Sequence, residues 1–296
     1  MPVRLTVLVP GGSGQLGHDL AALASDAVDV IAPGSAELDV TQTGQVLAAV
    51  GALAERAREN GSAPVVVNAA AYTAVDKAET DEERAFAVNA DGPRVLVAAC
   101  ASRRVPLIHV STDYVFSGDA ASPYEPSDAL GPRSAYGRTK AAGEDAVLGS
   151  GVSSWVVRTG WLYGKSGSNF VKTMTSLESS RPELSVVDDQ VGGPTWTFDL
   201  ASGLLELASR VAAGEGPEQR VLHCTNAGSV SWCGFARAIF SHLGADPSRV
   251  KACTSAEYPQ AATRPAYSVL SPAAWKEAGL TPMRSWEEAL DAYFAA

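Results

Sequence analysis

Tyr136 and Lys140 stand four positions apart in "SAYGRTKAAGE", a run of small helix formers. Residues at that spacing share a face on any helix. A phenol with an ammonium one turn away makes a proton donor beside the cation that tunes it, but the same pair also occurs as plain surface packing, and spacing alone does not choose. A second stretch bears on the choice. Gly11, Gly14 and Gly17 in "GGSGQLG" follow the first apolar run of the chain and precede a helical pattern. Without side chains they permit a tight turn, close approach of backbone N–H groups to a pyrophosphate, and close packing of helix on strand. Such a turn alone is a weak sign; its place after the first strand points to a dinucleotide. Pro10, which cannot donate to a sheet ladder, is expected to be the last residue of that strand.

The elements that must position these residues alternate along the first half. The strands read "LTVLV", "VDVIAP", "PVVVNAAA", "PLIHVST" and "SWVVRTGWLYG"; the helices between them read "GHDLAALAS", "TGQVLAAVGALAERAREN", "DEERAFAVNADGPRVLVAACASR" and "SAYGRTKAAGEDAVLGS". Strands without polar alternation, each followed by a helix, predict a parallel sheet buried on both faces. The fold class is therefore α/β, a Rossmann-like doubly wound sheet whose ligands lie beyond the carboxyl ends of the strands. After Gly164 the elements shorten and turn-formers increase. Residues 1–164 are expected to form the NAD(P)-binding domain and 165–296 a smaller, mainly substrate-binding α/β lobe, with a strand near 220–226 ("RVLHCTN") returning to the first sheet. The segment "SGDAASPYEPSDALGPRS" is read as a long surface loop between Thr112 and Tyr136, of a length that is often functional.

A chain of 296 residues, 46% hydrophobic and 19% charged, buries a core larger than one small domain. Lys+Arg of 23 against Asp+Glu of 33 gives a net charge of −10 with no basic block, so nucleic acid is not an expected partner. Cys100, Cys224, Cys233 and Cys253 lack C-x-x-C spacing, and the histidines lack ligand spacing, so neither a disulfide framework nor a zinc site is read. "VRLTVLVP" is too short for a signal peptide, and no apolar run approaches the ~18 residues of a membrane span. A cytoplasmic protein with reduced thiols is the expectation. The end of the second strand, "APGSAELDV", offers no acid for both ribose hydroxyls and no arginine for a 2′-phosphate, so NADPH and NADH both stay open. Asp39 fits either an adenine-side contact or the N-cap region of a helix.

The motifs "GGSGQLG", "LDV", "NAAAYTAVDKAE", "AVNADGP", "HVSTDYVFSG", "PYEPSDALGPRSAYGRTKAAGE", "VVRTGWLYG", "NFVKTM", "VVDDQVGGPT" and "TRPAYSVL" run nearly the whole length. Together they resemble the dTDP-4-dehydrorhamnose reductases, within the extended short-chain dehydrogenase/reductases. "NAAAYTAVDKAE" and "STDYVF" are the specific pair; Tyr-Lys alone indicates only the superfamily.

The resemblance implies an NAD(P)H-dependent reduction of the C4 ketone of dTDP-4-dehydro-L-rhamnose, with Thr112, Tyr136 and Lys140 as the catalytic triad. The residue chemistry agrees: a ketone needs a hydride at carbon and a proton at oxygen, so a neutral acid must reach the carbonyl. Tyr136 is that acid, Lys140 is expected to lower its pKa and to hold the nicotinamide ribose, and the Thr112 hydroxyl polarises the carbonyl. Cofactor contacts implied are Gly11, Gly14, Gln15, Leu16 and Gly17, then Asp39 and Val40, then Ala69, Ala70 and Ala71, with Tyr136 and Lys140. Substrate contacts implied are Thr73, Val75, Asp113, Tyr114, Trp161, Asn169 and Arg264. Trp161 fits an aromatic wall against a sugar or core packing; Asn169 fits a helix cap, a diphosphate contact or both; Arg264 is the leading cation for the dTDP phosphates. For Gln190 and Thr195 the structural role is favoured.

Where nucleotide-sugar dehydratases carry Thr-Asp-Glu, this chain has Thr112-Asp113-Tyr114, so water elimination lacks its base. Some relatives bridge a dimer through Mg²⁺ on glutamates; here Asp19 stands at one such place and Phe198 at another, which leaves too few carboxylates for a hard cation. No metal site is assigned, and a monomer or weak homodimer is expected. The partner is a small nucleotide sugar. The rivals are a related dTDP-4-keto-6-deoxysugar reductase of secondary metabolism, an NDP-sugar epimerase, and a non-catalytic cofactor-binding regulatory subunit.

Overall fold

The computed structural model describes residues 3–296. Along the chain the strand β1 (Leu5–Leu8) runs through the glycine turn into helix α1 (Gln15–Ala22). There follow β2 (Val28–Ile31), α2 (Thr43–Asn60), β3 (Ala63–Asn68), α3 (Val75–Ala78), α4 (Glu82–Phe86), α5 (Gly92–Arg103), β4 (Leu107–Thr112), α6 (Ala135–Leu148) and β5 (Ser154–Thr159). The second half adds β6 (Leu162–Tyr163), α7 (Phe170–Ser180), β7 (Leu184–Val187), β8 (Val191–Gly192), β9 (Thr195–Trp196) and α8 (Thr197–Ala212). It ends with β10 (Val221–His223), β11 (Val230–Ser231), α9 (Trp232–His242), β12 (Val250–Cys253), α10 (Ala273–Glu277) and α11 (Trp286–Ala295).

The central sheet has six parallel strands in the order β10-β5-β4-β3-β1-β2. From β1 the chain moves outward to β2, then crosses back and continues the other way through β3, β4 and β5. The order therefore reverses between β1 and β3, and the crevice at that point is where doubly wound sheets bind ligands. One face of the sheet is covered by α1 and α8, with Leu16, Leu20, Leu200, Leu204 and Leu207 packed on Val7 and Val65. The other is covered by α2 and α5, with Val46, Val50, Leu53 and Leu96 packed on Leu8 and Val66. Each such side chain, fully removed from water, contributes roughly 1.5–3 kcal/mol. A separate cluster around Tyr163, Phe235, Phe240, Trp286 and Tyr293 holds α7, α9 and α11 together in the second half. β10 pairs with β5 in register Val221 to Val156, so the "RVLHCTN" strand does return to the first sheet.

Two local readings change and a third gains detail. Regular pairing of β1 ends at Leu8, before Pro10, although the Pro10 carbonyl still accepts from Ala69 N at 3.1 Å. The helix read over "DEERAFAVNADGPRVLVAACASR" is divided by a wider π turn at Ala87–Asp91. Pro93 has no N–H to return to Asn89, and the freed Asn89 carbonyl abuts α6, where a side chain at Gly143 would lie 2.1 Å from it. The loop after Thr112 does lie at the surface, with Asp119, Ala121–Pro123 and Ser127–Leu130 exposed, but it is pinned at one point. Tyr124 is buried, stacks on Phe116 at 4.2 Å, and its hydroxyl accepts from the N–H groups of Gly118, Asp119 and Ala120 at 2.9, 3.1 and 3.2 Å.

Candidate active site

The crevice at the β1/β3 reversal is a cleft of about 730 Å³ that runs from the glycine turn to the N-terminal turn of α6. Its first wall is that turn. Gly11 has φ of +87°, and a side chain there would meet Ala70 N at 2.7 Å, so the turn lies directly on the end of β3. A side chain at Gly17 would lie 2.5 Å from the Gly11 carbonyl, which presses the start of α1 against the turn. Gly12 is equally constrained, since a side chain there would run into the Ala32 carbonyl after β2. This backbone cradle at a helix N-terminus fits a dinucleotide pyrophosphate.

The end of β3 is held by two buried asparagines. Asn68 Oδ1 accepts from Ala70 N at 3.1 Å while its Nδ2 donates to His109 Nδ1 at 3.0 Å. Asn89, in the π turn, accepts from Tyr72 N at 2.8 Å and donates to the Tyr72 carbonyl and to Thr139 Oγ1, both at 3.1 Å. The Ala69–Thr73 segment is thereby fixed between the glycine turn and α6.

Thr112, Tyr136 and Lys140 all line the same cleft. Ser134 caps α6 by accepting from Gly137 N at 3.1 Å, which starts the helix one residue before Tyr136. Close approach of α6 to the strand end is possible because Gly137 faces the Tyr114 carbonyl, 2.3 Å from where its side chain would be. Lys140 is 2% exposed and donates from Nζ to the Val110 carbonyl of β4 at 2.7 Å. Burial pulls its ammonium down to about 8, against an upward pull from Glu144 one turn on. Burial pushes the Tyr136 phenol up to about 12, against a downward pull from the Thr112 hydroxyl. The expected lowering of the tyrosine pKa is not what this site shows: desolvation outweighs the Thr112 hydroxyl, and the Lys140 ammonium is bonded to the β4 backbone. The phenol keeps its proton at neutral pH.

Thr112 Oγ1 donates to Asp113 Oδ1 at 2.9 Å and accepts from Tyr114 N at 3.2 Å, and Asp113 is pushed up to about 6 by burial. Asp113, Ser111 and Thr159 line the cleft as buried polar residues, and the Ser268 hydroxyl acts on the Asp113 carboxylate against the upward pull of burial. Tyr114 meets Tyr136 edge to face at 5.5 Å. Across the cleft Trp161 holds φ of +50° and stacks on Trp232 at 3.5 Å and 2°, its indole against Gly192.

Of the residues expected from the sequence, Gly11, Gly14, Gln15, Leu16, Gly17, Asp39, Val40, Ala69, Ala70, Ala71, Thr73, Val75, Asp113, Tyr114 and Trp161 line this cleft with the triad. Two others lie outside its lining. Asn169 caps α7 by accepting from Lys172 N and donates to Gln15 Oε1 and the Gly164 carbonyl, both at 2.8 Å, so it ties the second half of the chain to the glycine turn. Arg264 bonds Asp76 Oδ2 at 2.6 Å, so its charge is already met by a carboxylate that also anchors Ala262 N. Asp39 accepts from Thr41 N and Oγ1 at 2.9 and 2.7 Å and caps no helix. Gln190 and Thr195 are buried in hydrogen bonds to Ser255 and the Gly193 carbonyl. Sequence reading missed Asn68, Asn89, Gly12, Ser13, Ser35 and Arg84. Only Gly12 carried a local signal, as the second glycine of the turn.

The family model described as "RmlD substrate binding domain" matches residues 5–296. The chain belongs to the RmlD family. Among its relatives, a Mycobacterium tuberculosis protein named dTDP-4-dehydrorhamnose reductase is 46% identical over 98% of this chain and 92% of its own length. A Streptomyces antibioticus protein named probable dTDP-4,6-dihydroxy-2-methyloxan-3-one 4-ketoreductase is 47% identical over 96% of this chain and 92% of its own. The RmlD fold is shared with the crystal structure of dTDP-4-dehydrorhamnose reductase from Bacillus anthracis in complex with NADP, at a TM-score of 0.89, 34% identity and 99% coverage of both chains.

Proposed function

We propose that this chain is an NADPH-dependent oxidoreductase that reduces the C4 ketone of dTDP-4-dehydro-L-rhamnose to dTDP-L-rhamnose. The observation that carries the reading is the meeting of Thr112, Tyr136 and Lys140 in one cleft with the glycine turn. Gly11, Gly14, Gln15, Leu16 and Gly17 hold the pyrophosphate, Asp39 and Val40 the adenosine, and Ala69, Ala70, Ala71 and Lys140 the nicotinamide half. When bound, NADPH supplies a hydride to the ketone carbon. The protein supplies the rest. Thr112 donates a hydrogen bond that fixes the carbonyl oxygen, released from Asp113 to do so. Tyr136, neutral because its hydroxyl is desolvated, delivers its proton to that oxygen as negative charge develops. The phenolate left behind is stabilised by the Lys140 ammonium and the Thr112 hydroxyl. Asp113, Tyr114, Trp161, Thr73 and Val75 shape the sugar side, and the residues beyond 164, apart from α8 and β10, close it.

Asp19 accepts a hydrogen bond from Thr197, and Phe198, which carries no carboxylate, packs on Trp196, so the site proposed for this chain has no shared Mg²⁺; the proposed state is a monomer or weak homodimer. Among the described residues no helix is long and apolar enough to cross a membrane; the proposed location is the cytoplasm. The Streptomyces antibioticus relative is as similar as the mycobacterial one, which favours a second reading: another dTDP-4-keto-6-deoxysugar as substrate with the same chemistry. Incubation with NADPH and enzymatically made dTDP-4-dehydro-L-rhamnose, with NMR of the sugar nucleotide, decides. dTDP-L-rhamnose is expected; NADPH oxidation with dTDP-4-keto-6-deoxy-D-glucose but not with dTDP-4-dehydro-L-rhamnose supports the second reading, and none with either sugar overturns both.

A further inference from the structure

The adenosine end of the cleft carries a cation that the β2 sequence does not supply. Arg84 belongs to α4, yet it lines the cleft with Leu38, Asp39 and Val40. Helix spacing explains its place. Val88, four residues on, packs into the core layer that holds Leu38 and Val40, and residues at that spacing share a face. Arg84 is thus set over the turn that follows β2. Among the described residues no carboxylate stands within ion-pair distance of its guanidinium, although Asp39 is near enough to be stabilised by it.

Two hydroxyls lie in the same cleft. Ser35 follows β2 and Ser13 belongs to the glycine turn. A side chain at Gly34 would be 3.3 Å from Ser13 Oγ, so the two turns meet there. The acids of this turn are engaged within it: Glu37 Oε2 accepts from Gly34 N at 2.9 Å, and Asp39 Oδ1 is held by Thr41. An unpaired guanidinium beside hydroxyl donors fits a phosphate, whose oxygens match its planar fork.

We propose that Arg84, with Ser13 and Ser35, forms a phosphate subsite that selects dinucleotides bearing a 2′-phosphate on the adenosine ribose over those with a free 2′-hydroxyl. The inference rests on the reading of this cleft as a dinucleotide site and names the residue that decides between NADPH and NADH. The competing arrangement has Asp39 Oδ2 accept from a free 2′-hydroxyl, which favours NADH.

Calorimetric titration with adenosine 2′,5′-bisphosphate and adenosine 5′-monophosphate isolates the contribution of the 2′-phosphate without turnover. The wild type is expected to bind the bisphosphate at least about tenfold tighter, with a preference that shrinks as salt is raised. Arg84→Gln, at an unchanged melting temperature, should abolish the preference while leaving the monophosphate within about twofold; Arg84→Lys, a point charge without the fork, should retain part of it. A preference that survives Arg84→Gln, equal losses for both nucleotides, or no preference in the wild type overturns the subsite. An Asp39→Asn variant that loses affinity for the monophosphate more than for the bisphosphate would favour the competing arrangement. If the bisphosphate preference holds and disappears in Arg84→Gln while no keto sugar is reduced, the subsite stands and the reaction assignment alone falls.

Discussion

Lys140 is buried, and the group one helical turn beyond it is itself half of a buried ion pair. Glu144 and Arg158 have side chains 1% and 4% exposed. Arg158 Nε reaches Oε1 and Oε2 at 3.0 and 3.2 Å, and Nη2 reaches Oε2 at 2.7 Å. The remaining contacts of that guanidinium are the Pro126 carbonyl at 3.1 Å and the Phe116 ring at 4.9 Å. Glu144→Gln keeps the shape but leaves a buried positive charge facing an amide that presents donors as well as an acceptor. Breaking one side of such a pair costs about 3–5 kcal/mol, which for a chain of this size lowers the melting temperature by roughly 5–15 °C. A catalytic consequence accompanies it. Lys140 must be charged to stabilise the phenolate, so kcat/KM of the wild type should fall as pH rises through about 8. Glu144 raises that value, so its loss moves the alkaline limb to lower pH. Calorimetry and a pH profile of initial rates read both effects. Joint removal by Glu144→Leu with Arg158→Met should recover most of the stability, since no charge is left unmatched, but not the alkaline limb. A melting point lowered by less than about 2 °C, or an alkaline limb that stays in place, would refute the coupling drawn between the pair and Lys140.

Two further outcomes follow from the cleft walls. Gly17→Ala places a methyl 2.5 Å from the Gly11 carbonyl and 2.5 Å from Gly12 Cα, all backbone; overpacking of roughly 1–3 kcal/mol opens the turn, and fluorescence titration should show markedly weaker NADPH binding, unchanged affinity being the contrary result. Trp161 holds a left-handed backbone that costs a non-glycine residue about 1–3 kcal/mol, held by its face-to-face stack on Trp232. Trp232→Ala removes that support and should raise KM for the sugar nucleotide more than for NADPH, whereas equal or absent changes in the two KM values contradict a role for the stack in the sugar side.

Much of this site was legible before any coordinates. The glycine spacing, the Tyr136–Lys140 turn and the alternation of strands and helices are local patterns, and local patterns carry the positions of backbone turns and helix faces. Other features depend on what packing brings from afar. Arg84 reaches the adenosine end because α4 is laid over the turn after β2, so reading the residues after β2 for an arginine found none. Arg264 has the right charge for a phosphate, but it bonds Asp76 across 188 positions of sequence, and nothing near either residue announces that partner. The tyrosine pKa is of this kind as well: a lysine four residues on is visible in the sequence, and the desolvation that raises the phenol is not. Pro93 was visible too; its effect, an Asn89 carbonyl released against Gly143, needs the neighbouring helix to have meaning.

The central claim is that Tyr136 delivers the proton while backbone and lysine hold the cofactor. Tyr136→Phe removes one oxygen from a half-buried ring and leaves Lys140, Thr112 and the glycine turn in place. Stopped-flow reduction of dTDP-4-dehydro-L-rhamnose by saturating NADPH, paired with NADPH titration of the same variant, isolates that atom. The expected result is a rate lower by about 10²–10⁴ with NADPH affinity retained; a rate near that of the wild type would show that the proton comes from elsewhere.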